Sequence, residues 1–564
     1  MPNNALLPAT AVLTLALTSC QTPVQDPPTD DILDLGPDAF TAAAVIEPQR
    51  LQATVEGLSS DAFEGRGPAS AGDLATQQYL AELLESMGYL PGGEDGGWLQ
   101  TVDVVSVTAS SPDAWSFKGP DDSLDLAQWD EFIAFSGVQE PSAVIDQAEI
   151  VFVGYGIRAP EHGWDDYKGT DVSGKVLLML NNDPDWDEAL FEGERRLYYG
   201  RWDYKYEIAA ELGAAGAIII HTTPSAGYPY QVVQTSWTGP QFELPAAGQP
   251  TTAIKAWVSE TAAERLAALG GHELAQLIDE ARQQDFQPVE LDVTTSLRLD
   301  NDVSSVQTAN VAGLLEGSDL ELKQEVVVYT AHHDHLGIGP PDAEGDTIYN
   351  GALDNASGVA QVAAIGAAFK ALPEAPRRSI LLLFVAAEEQ GLLGSEYYAR
   401  QPTFHPGRIA ANVNLDGGNI WGRTRDLTYI GYGKSSLDAI VDAAAALQQR
   451  TVLGDQFPDR GFFYRSDQFN FAKIGVPAIY LDSGTDFIDR PAGWGKEQME
   501  RWEADQYHQP SDEIDETWNF EGMVEDARLA FYCGLSIAQA DALPAWNAGD
   551  EFEAARLAAL ADRP

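Results

Sequence analysis

The sequence predicts an α/β fold: a mixed, largely parallel central sheet flanked by helices, with a mostly β segment inserted into it. Three observations carry that expectation. After residue 325, short apolar runs of strand length alternate with stretches whose apolar residues recur at helical spacing. Between about 145 and 300 the pattern changes to strand-like runs with small helices, and Val306 to Leu314 returns to the main sheet. Polar residues able to bind metals or move protons follow the apolar runs in order, and active groups of open α/β sheets gather at the carboxyl ends of strands.

At 564 residues the chain exceeds one simple core, so two domains with appendages are expected. The first twenty residues hold an apolar run, Ala11 to Leu17, too short to span a membrane and fitting a signal peptide (1–20). Met1 to Leu7, however, carries no Lys or Arg. The segment ending in Leu17-Thr-Ser-Cys20 resembles a bacterial lipobox. That implies lipidation of Cys20 and an exported protein, lipid-anchored in the cell envelope (outer membrane or periplasm) or secreted. An ordinary cleaved signal peptide is the alternative. Pro, Asp and Thr enrich the stretch that follows, a flexible tether over 21–40. The main α/β unit is then expected over 41–144 and 301–545, the insertion over 145–300 and a C-terminal tail over 546–564.

Composition excludes some functions. With 87 acidic against 33 basic residues the net charge is −54, and such a surface repels nucleic acid. Besides Cys20 only Cys533 is present, so the mature chain has no pair for a disulfide. No second apolar span appears, which leaves the lipid as the only expected membrane contact.

In the main unit, Ala75, Tyr79, Leu80, Leu83, Leu84 and Met87 mark one face of a helix that stops at Gly88. Gln100 to Phe117 alternates like strands. In the insertion, Ile150–Gly156, Gly174–Leu180 and Ala217–Ile220 read as strands, and Tyr206–Gly213 as a helix. His162, His221 and His272 stand alone there and receive no role. Beyond 325 the pattern gives strands ending at Ala331, over Ile380–Ala386, Ala411–Leu415 and Val476–Leu481. Helices are expected over Ser357–Leu372, near Ser395–Arg400 and over Ser435–Gln449.

The chain has eight histidines, and three of them fall within His332-His-Asp-His335 at the end of the first of these strands. Asp354-Asn355 precedes the first helix, Glu388-Glu389 ends the second strand, Asp416 follows the third, and His508 lies in Tyr507-His-Gln-Pro-Ser-Asp512. Each piece alone has a bland reading: Asp354 as a helix N-cap, the glutamates as a solvated face. But Glu388 and Glu389 follow Leu-Leu-Leu-Phe-Val-Ala-Ala, where two charges need compensation. Imidazoles with several carboxylates and no thiolate suit Zn²⁺, Mn²⁺ or Co²⁺.

These motifs, the Glu64-Gly-Arg-Gly-Pro68 loop and the Leu212-Gly-Ala-Ala-Gly-Ala-Ile-Ile-Ile segment together resemble the M28 family of zinc peptidases, in the branch carrying an inserted protease-associated (PA) domain. The resemblance spans about residues 50 to 545. It implies the zinc-peptidase fold and two Zn²⁺ per chain. Asp354 would bridge the two, His332 and Asp416 would complete one site, and Glu389 and His508 the other. Glu388 would be the general base, and Asp334 would hydrogen-bond and orient His332. Phe462–Gln468 resembles the family's substrate-pocket loop, so Arg465 and Asp467 are expected either to shape the pocket or to form a buried Arg–Asp pair. His333 should point to the opposite strand face, and His335 should support its own loop.

The activity implied is that of a di-zinc exopeptidase acting on peptides, an aminopeptidase first. An M28-type carboxypeptidase or dipeptidase is the enzymatic alternative. A non-catalytic binding protein on the same fold is the third reading, set against the full complement of ligands and base.

Overall fold

The computed structural model describes residue 33 and residues 35–187 and 190–563. Cys20, the signal segment and most of the expected tether lie outside them. The last residues of that tether, from Pro37, enter a helix, Pro37–Ala43, whose Ala39, Ala42 and Ala43 are buried.

Eight strands form the part of the sheet that positions the site: β1 (Leu99–Ser110), β2 (Val289–Leu315), β3 (Val326–His332), β4 (Ser379–Val385), β5 (Ile409–Asn414), β6 (Asp426–Ile430), β7 (Thr451–Leu453) and β8 (Ala478–Asp482). Their hydrogen bonds give the order β1-β2-β4-β3-β5-β8-β6-β7. β4, β3, β5 and β8 are mutually parallel, while β2 pairs antiparallel with β4 and β6 with β8.

The apolar runs are continuous because both faces of these strands are covered. Val327, Tyr329 and Ala331 pack into the core shared with helices Ser357–Ala371 and Glu521–Gln539. Val326 and Val328 face the other way, toward Tyr398 and Phe471 on helices Leu393–Arg400 and Gln468–Lys473. The result is a helix–sheet–helix sandwich in which β3, β4 and β5 end side by side.

The second unit hangs on an antiparallel ribbon. β1 leads into it, and the 27-residue β2 returns from it. The early part of β2 pairs with Ser142–Phe152, and its later part with β1, from Asp300↔Ser110 to Val311↔Leu99. Inside the unit, Ser142–Phe152, Val176–Leu180, Gly216–His221 and Ile254–Ser259 are successive parallel neighbours. Strand pairing draws in more sequence than 145–300: Phe132–Ser136 pairs with Ile254–Ser259, and Ala114–Lys118 with β2. Trp115, Phe117 and Phe132 lie in the same core as Phe152, Ile218 and Val258.

At the other end, the described part of the expected C-terminal tail, residues 546–563, packs onto the main unit. Trp546 and Phe552 are buried, and helix Glu553–Ala561 sends the buried Arg556 to the carbonyl of Ile409, at 2.9 Å. A guanidinium that satisfies backbone groups at the start of β5 explains why a polar-looking segment docks.

Candidate metal centre

β3 ends at His332, and the chain then turns so that Asp334 is fully buried between β3 and β4. The Asp334 carboxylate accepts the backbone N–H groups of Glu388 at 3.0 Å and Glu389 at 3.3 Å. Ala387, just before them, holds the left-handed conformation, φ 53°, which turns the chain out of β4. Asp334 therefore fixes the two glutamates more closely than it fixes His332. The expected carboxylate contact to His332 Nδ1 is 3.8 Å, whereas the Asp334 carbonyl oxygen lies at 3.2 Å. The main chain orients the imidazole, and the side chain positions the glutamates.

Asp354 sits in the loop before helix Ser357–Ala371, and its two oxygens face different imidazoles. Oδ1 is 3.2 Å from His332 Nε2, and Oδ2 is 3.3 Å from His508 Nε2. On the first side Asp416 Oδ1 lies 3.1 Å from His332 Nε2. On the second, Glu389 Oε2 lies 2.9 Å from His508 Nε2. Glu388 Oε2 stands back, 3.9 Å from His332 Nε2. The five residues expected as ligands, and the expected base, thus meet in one place, drawn from β3, β4, β5 and two loops.

The surroundings hold these groups still. Asp416 Oδ2 accepts the Ser466 hydroxyl at 2.5 Å. Asp512 accepts the N–H groups of Leu353 at 3.0 Å and Asp354 at 3.1 Å, tying the Asp354 loop to the segment that bears His508. Arg66 is buried and donates to the carbonyls of His333, Leu58, Asn350 and Gly351, two of which flank ligand loops. Sequence reasoning found the motif around Arg66 and the motif ending in Asp512 but gave neither residue a task. It also placed His335 only in its own loop. In the structure His335 Nδ1 lies 2.5 Å from Glu389 Oε1, and His335, Asp354 and Glu389 form one of the clusters whose donor atoms fall within 4.8 Å of one another. His333 turns away, with Nε2 3.2 Å from Asp73 Oδ1.

Do these residues fit a metal? Among the described residues, no Lys or Arg ion-pairs with Asp354, Glu388, Glu389 or Asp416; imidazoles are the groups within ion-pair distance, and the buried Arg66 acts on Asp354 and Glu389 only from further off. Uncompensated buried carboxylates are expensive. Without a cation, the cluster draws protons. Burial alone would lower His508, but Glu389 and Asp354 push it up to about 9. Burial likewise opposes His332, and Asp416 and Glu388 raise it well above the ordinary imidazole value. Burial would raise Asp354, yet the two imidazoles hold it well below the carboxylate range. His508 Nε2 is buried and, despite its close oxygens, makes no aligned hydrogen bond, as suits a lone pair aimed at a shared centre. Divalent cations would replace those protons, and the N/O donor set suits zinc.

Beside the cluster opens a cleft lined by Trp421, Phe457, Phe462, Met499, Trp502 and Tyr507, with Asp354, Glu388 and Asp416 at its base. Arg465 and Asp467 are not an ion pair among the described residues. Arg465 donates to the Tyr507 hydroxyl at 3.2 Å and stacks near Phe462, leaving Nη1 buried and unpartnered. Asp467 is fully buried and lies outside the lining of the cleft.

A parallel α/β sheet whose strand ends assemble two imidazoles around a shared carboxylate, with a spare glutamate alongside, defines the class of metal-dependent hydrolases. Residues 310–531 match the model of peptidase family M28. That segment of the chain is similar to the family. Two curated relatives, each named "Probable zinc metalloprotease", come from Pyrenophora teres f. teres, 35% identical over 114 residues, and Pyrenophora tritici-repentis, 34% identical over 114 residues. Each match covers 20% of this chain and only 23% or 24% of the relative, about a quarter of its length. Among solved structures, an aminopeptidase from Aneurinibacillus sp. strain AM-1 shares the fold, with a TM-score of 0.51 and 18% identity over 88% of this chain and 95% of that one.

Proposed function

We propose that the protein is a di-zinc exopeptidase that removes N-terminal residues from peptides. The observation that carries this reading is the placement of Asp354, one oxygen facing His332 and the other His508. His332, Asp354 and Asp416 would hold one ion, and His508, Asp354 and Glu389 the other. Zn²⁺ so held supplies Lewis acidity, polarising a carbonyl and lowering the pKa of water.

The chain's own residues do the rest. Glu388 is aimed into the cleft and fixed by its N–H to Asp334. Burial, with help from Asp416 and Glu389, raises its pKa well above the usual range although His332 opposes this. It is therefore suited to take a proton from the attacking water and to return it to the leaving amine. The aromatic wall of Trp421, Phe457 and Trp502 excludes water and receives an apolar side chain. At the cleft's edge Asp482, raised to about 7 by burial, has no cationic partner among the described residues, so an incoming ammonium group can pair with it.

One observation favours a second reading. The unpartnered Nη1 of Arg465 offers a docking point for a carboxylate, as a carboxypeptidase or dipeptidase needs. A panel of aminoacyl arylamides, N-acetylated peptides and C-terminally amidated peptides separates the two. The aminopeptidase reading expects cleavage to require a free N-terminus and to tolerate amidation. The opposite pattern would overturn it in favour of the second reading. We also propose that the second unit is of the PA type, and that Cys20 anchors the exported protein by lipid. Globomycin-sensitive labelling with palmitate in a bacterial host tests the anchor, and a Cys20→Ala chain that still labels would contradict it.

A further inference from the structure

The two ligand imidazoles are held in different ways. His332 ends a strand, and its Nδ1 faces the carbonyl of Asp334, two residues on. His508 lies in a turn, with a left-handed backbone, φ 57°. Its ring rests on Tyr507, centroids 3.9 Å apart, and that contact does not fix rotation of the ring in its own plane. Its Nδ1 is met from outside the main unit. The Ser236 hydroxyl, at the end of helix Tyr230–Ser236 in the second unit, lies 2.8 Å away. Since Nε2 faces Asp354 and Glu389 at 3.3 and 2.9 Å, the ligating tautomer carries its proton on Nδ1, and Ser236 Oγ accepts it.

We propose that Ser236 is a positioning residue for the metal centre, and that the second unit thereby completes the His508 half of the site. The hydroxyl fixes both the tautomer and the in-plane angle of the one ligand ring that no regular element holds. The main unit alone supplies every ligand atom yet lacks this acceptor. Removing it leaves the Nδ1–H unpaired and frees the ring to turn. The loss falls on one half-site, since among the described residues no hydrogen bond joins Ser236 to His332 or Asp416. A second bond across the same boundary, Gln231 Nε2 to Gln509 Oε1 at 3.0 Å, touches no ligand and serves as the control.

This inference rests on the two-metal reading. Its test measures zinc affinity by competition with a graded series of chelators, on the full chain and its Ser236→Ala, Ser236→Thr, Ser236→Val and Gln231→Ala variants. Electronic absorption of the Co²⁺-loaded proteins gives a signature independent of turnover. We expect two ions in the wild type, with one of the two bound 10- to 100-fold more weakly in Ser236→Ala and Ser236→Val, the range typical for partners of a ligand. Ser236→Thr, which keeps the hydroxyl at Val's shape, should restore the affinity and the Co²⁺ spectrum. Gln231→Ala should leave both unchanged. Equal affinities in Ser236→Ala and wild type would overturn the inference while leaving the two-metal reading intact. So would equal weakening of both ions together with a loss in Gln231→Ala, which marks a loosened boundary. A wild type binding fewer than two ions would instead overturn the two-metal reading, and this inference with it.

Discussion

Replacing Glu388 by Gln separates binding from chemistry. The side chain keeps its shape and its N–H bond to Asp334, 3.0 Å, because that bond is made by the main chain. Its nearest approach to a ligand nitrogen is 3.9 Å, against 2.9–3.3 Å for the residues assigned to the ions, so metal content should be unchanged. What disappears is the proton acceptor. A positioned general base contributes about 10²–10⁴ in rate, or about 3–5 kcal/mol of barrier. The folded-state pKa of Glu388 is raised, so in metal-free protein its carboxyl favours the fold while protonated. That contribution is present below the unfolded value of 4.5 and is lost as pH rises toward the raised one. Metal-free Glu388→Gln should therefore melt no lower than wild type at neutral pH. The assay is steady-state hydrolysis of an aminoacyl arylamide, with zinc measured on the same sample. A variant that keeps its zinc and turns over at near the wild-type rate would refute the assignment of the base.

Other consequences follow from the packing. Arg66→Met leaves four carbonyls without their buried donor, at a cost on the order of 4 kcal/mol, and should lower both urea midpoint and zinc affinity; an unchanged midpoint would contradict its role. In Gly534→Ala the added Cβ would overlap the Tyr329 hydroxyl, which bonds Ala530 beneath β3, so a loss of about 1–3 kcal/mol in chemical denaturation is expected. Burial raises Asp438 from 3.8 to about 6, so the stability of its protonated form is present below about pH 4 and lost as pH rises through 6. Asp438→Asn should thus match wild type in unfolding free energy near pH 4 and exceed it above pH 6, by about 1–2 kcal/mol after allowing for partial solvation. A gap that shrinks with rising pH would be the wrong sign.

The main sheet was legible because its strands are covered on both faces and so read as unbroken apolar runs. Val326–His332, Ser379–Val385 and Ile409–Asn414 each lie within a residue or two of the strands expected there. The candidate ligands were legible for a related reason, since charges directly after such runs must meet a compensating partner. β6, Asp426–Ile430, was missed: its buried Asp426, Thr428 and Tyr429 break the apolar signal. The contacts of Arg66 and Ser236 were not legible either. Their partners lie 267 and 272 positions away, and no local spacing encodes such a meeting. The division of work at Asp334 needed distances, because a motif cannot tell a carboxylate from the carbonyl of the same residue.

The central claim is that one carboxylate, Asp354, organises two cations. Zinc content per chain, measured by inductively coupled plasma mass spectrometry after equilibration with zinc and gel filtration, tests it most directly when wild type is set beside Asp354→Ala. The account predicts two zinc ions in wild type and the loss of both on removing the shared ligand, with the fold retained by circular dichroism. Wild type holding fewer than two ions, or a folded Asp354→Ala still holding two, would contradict it.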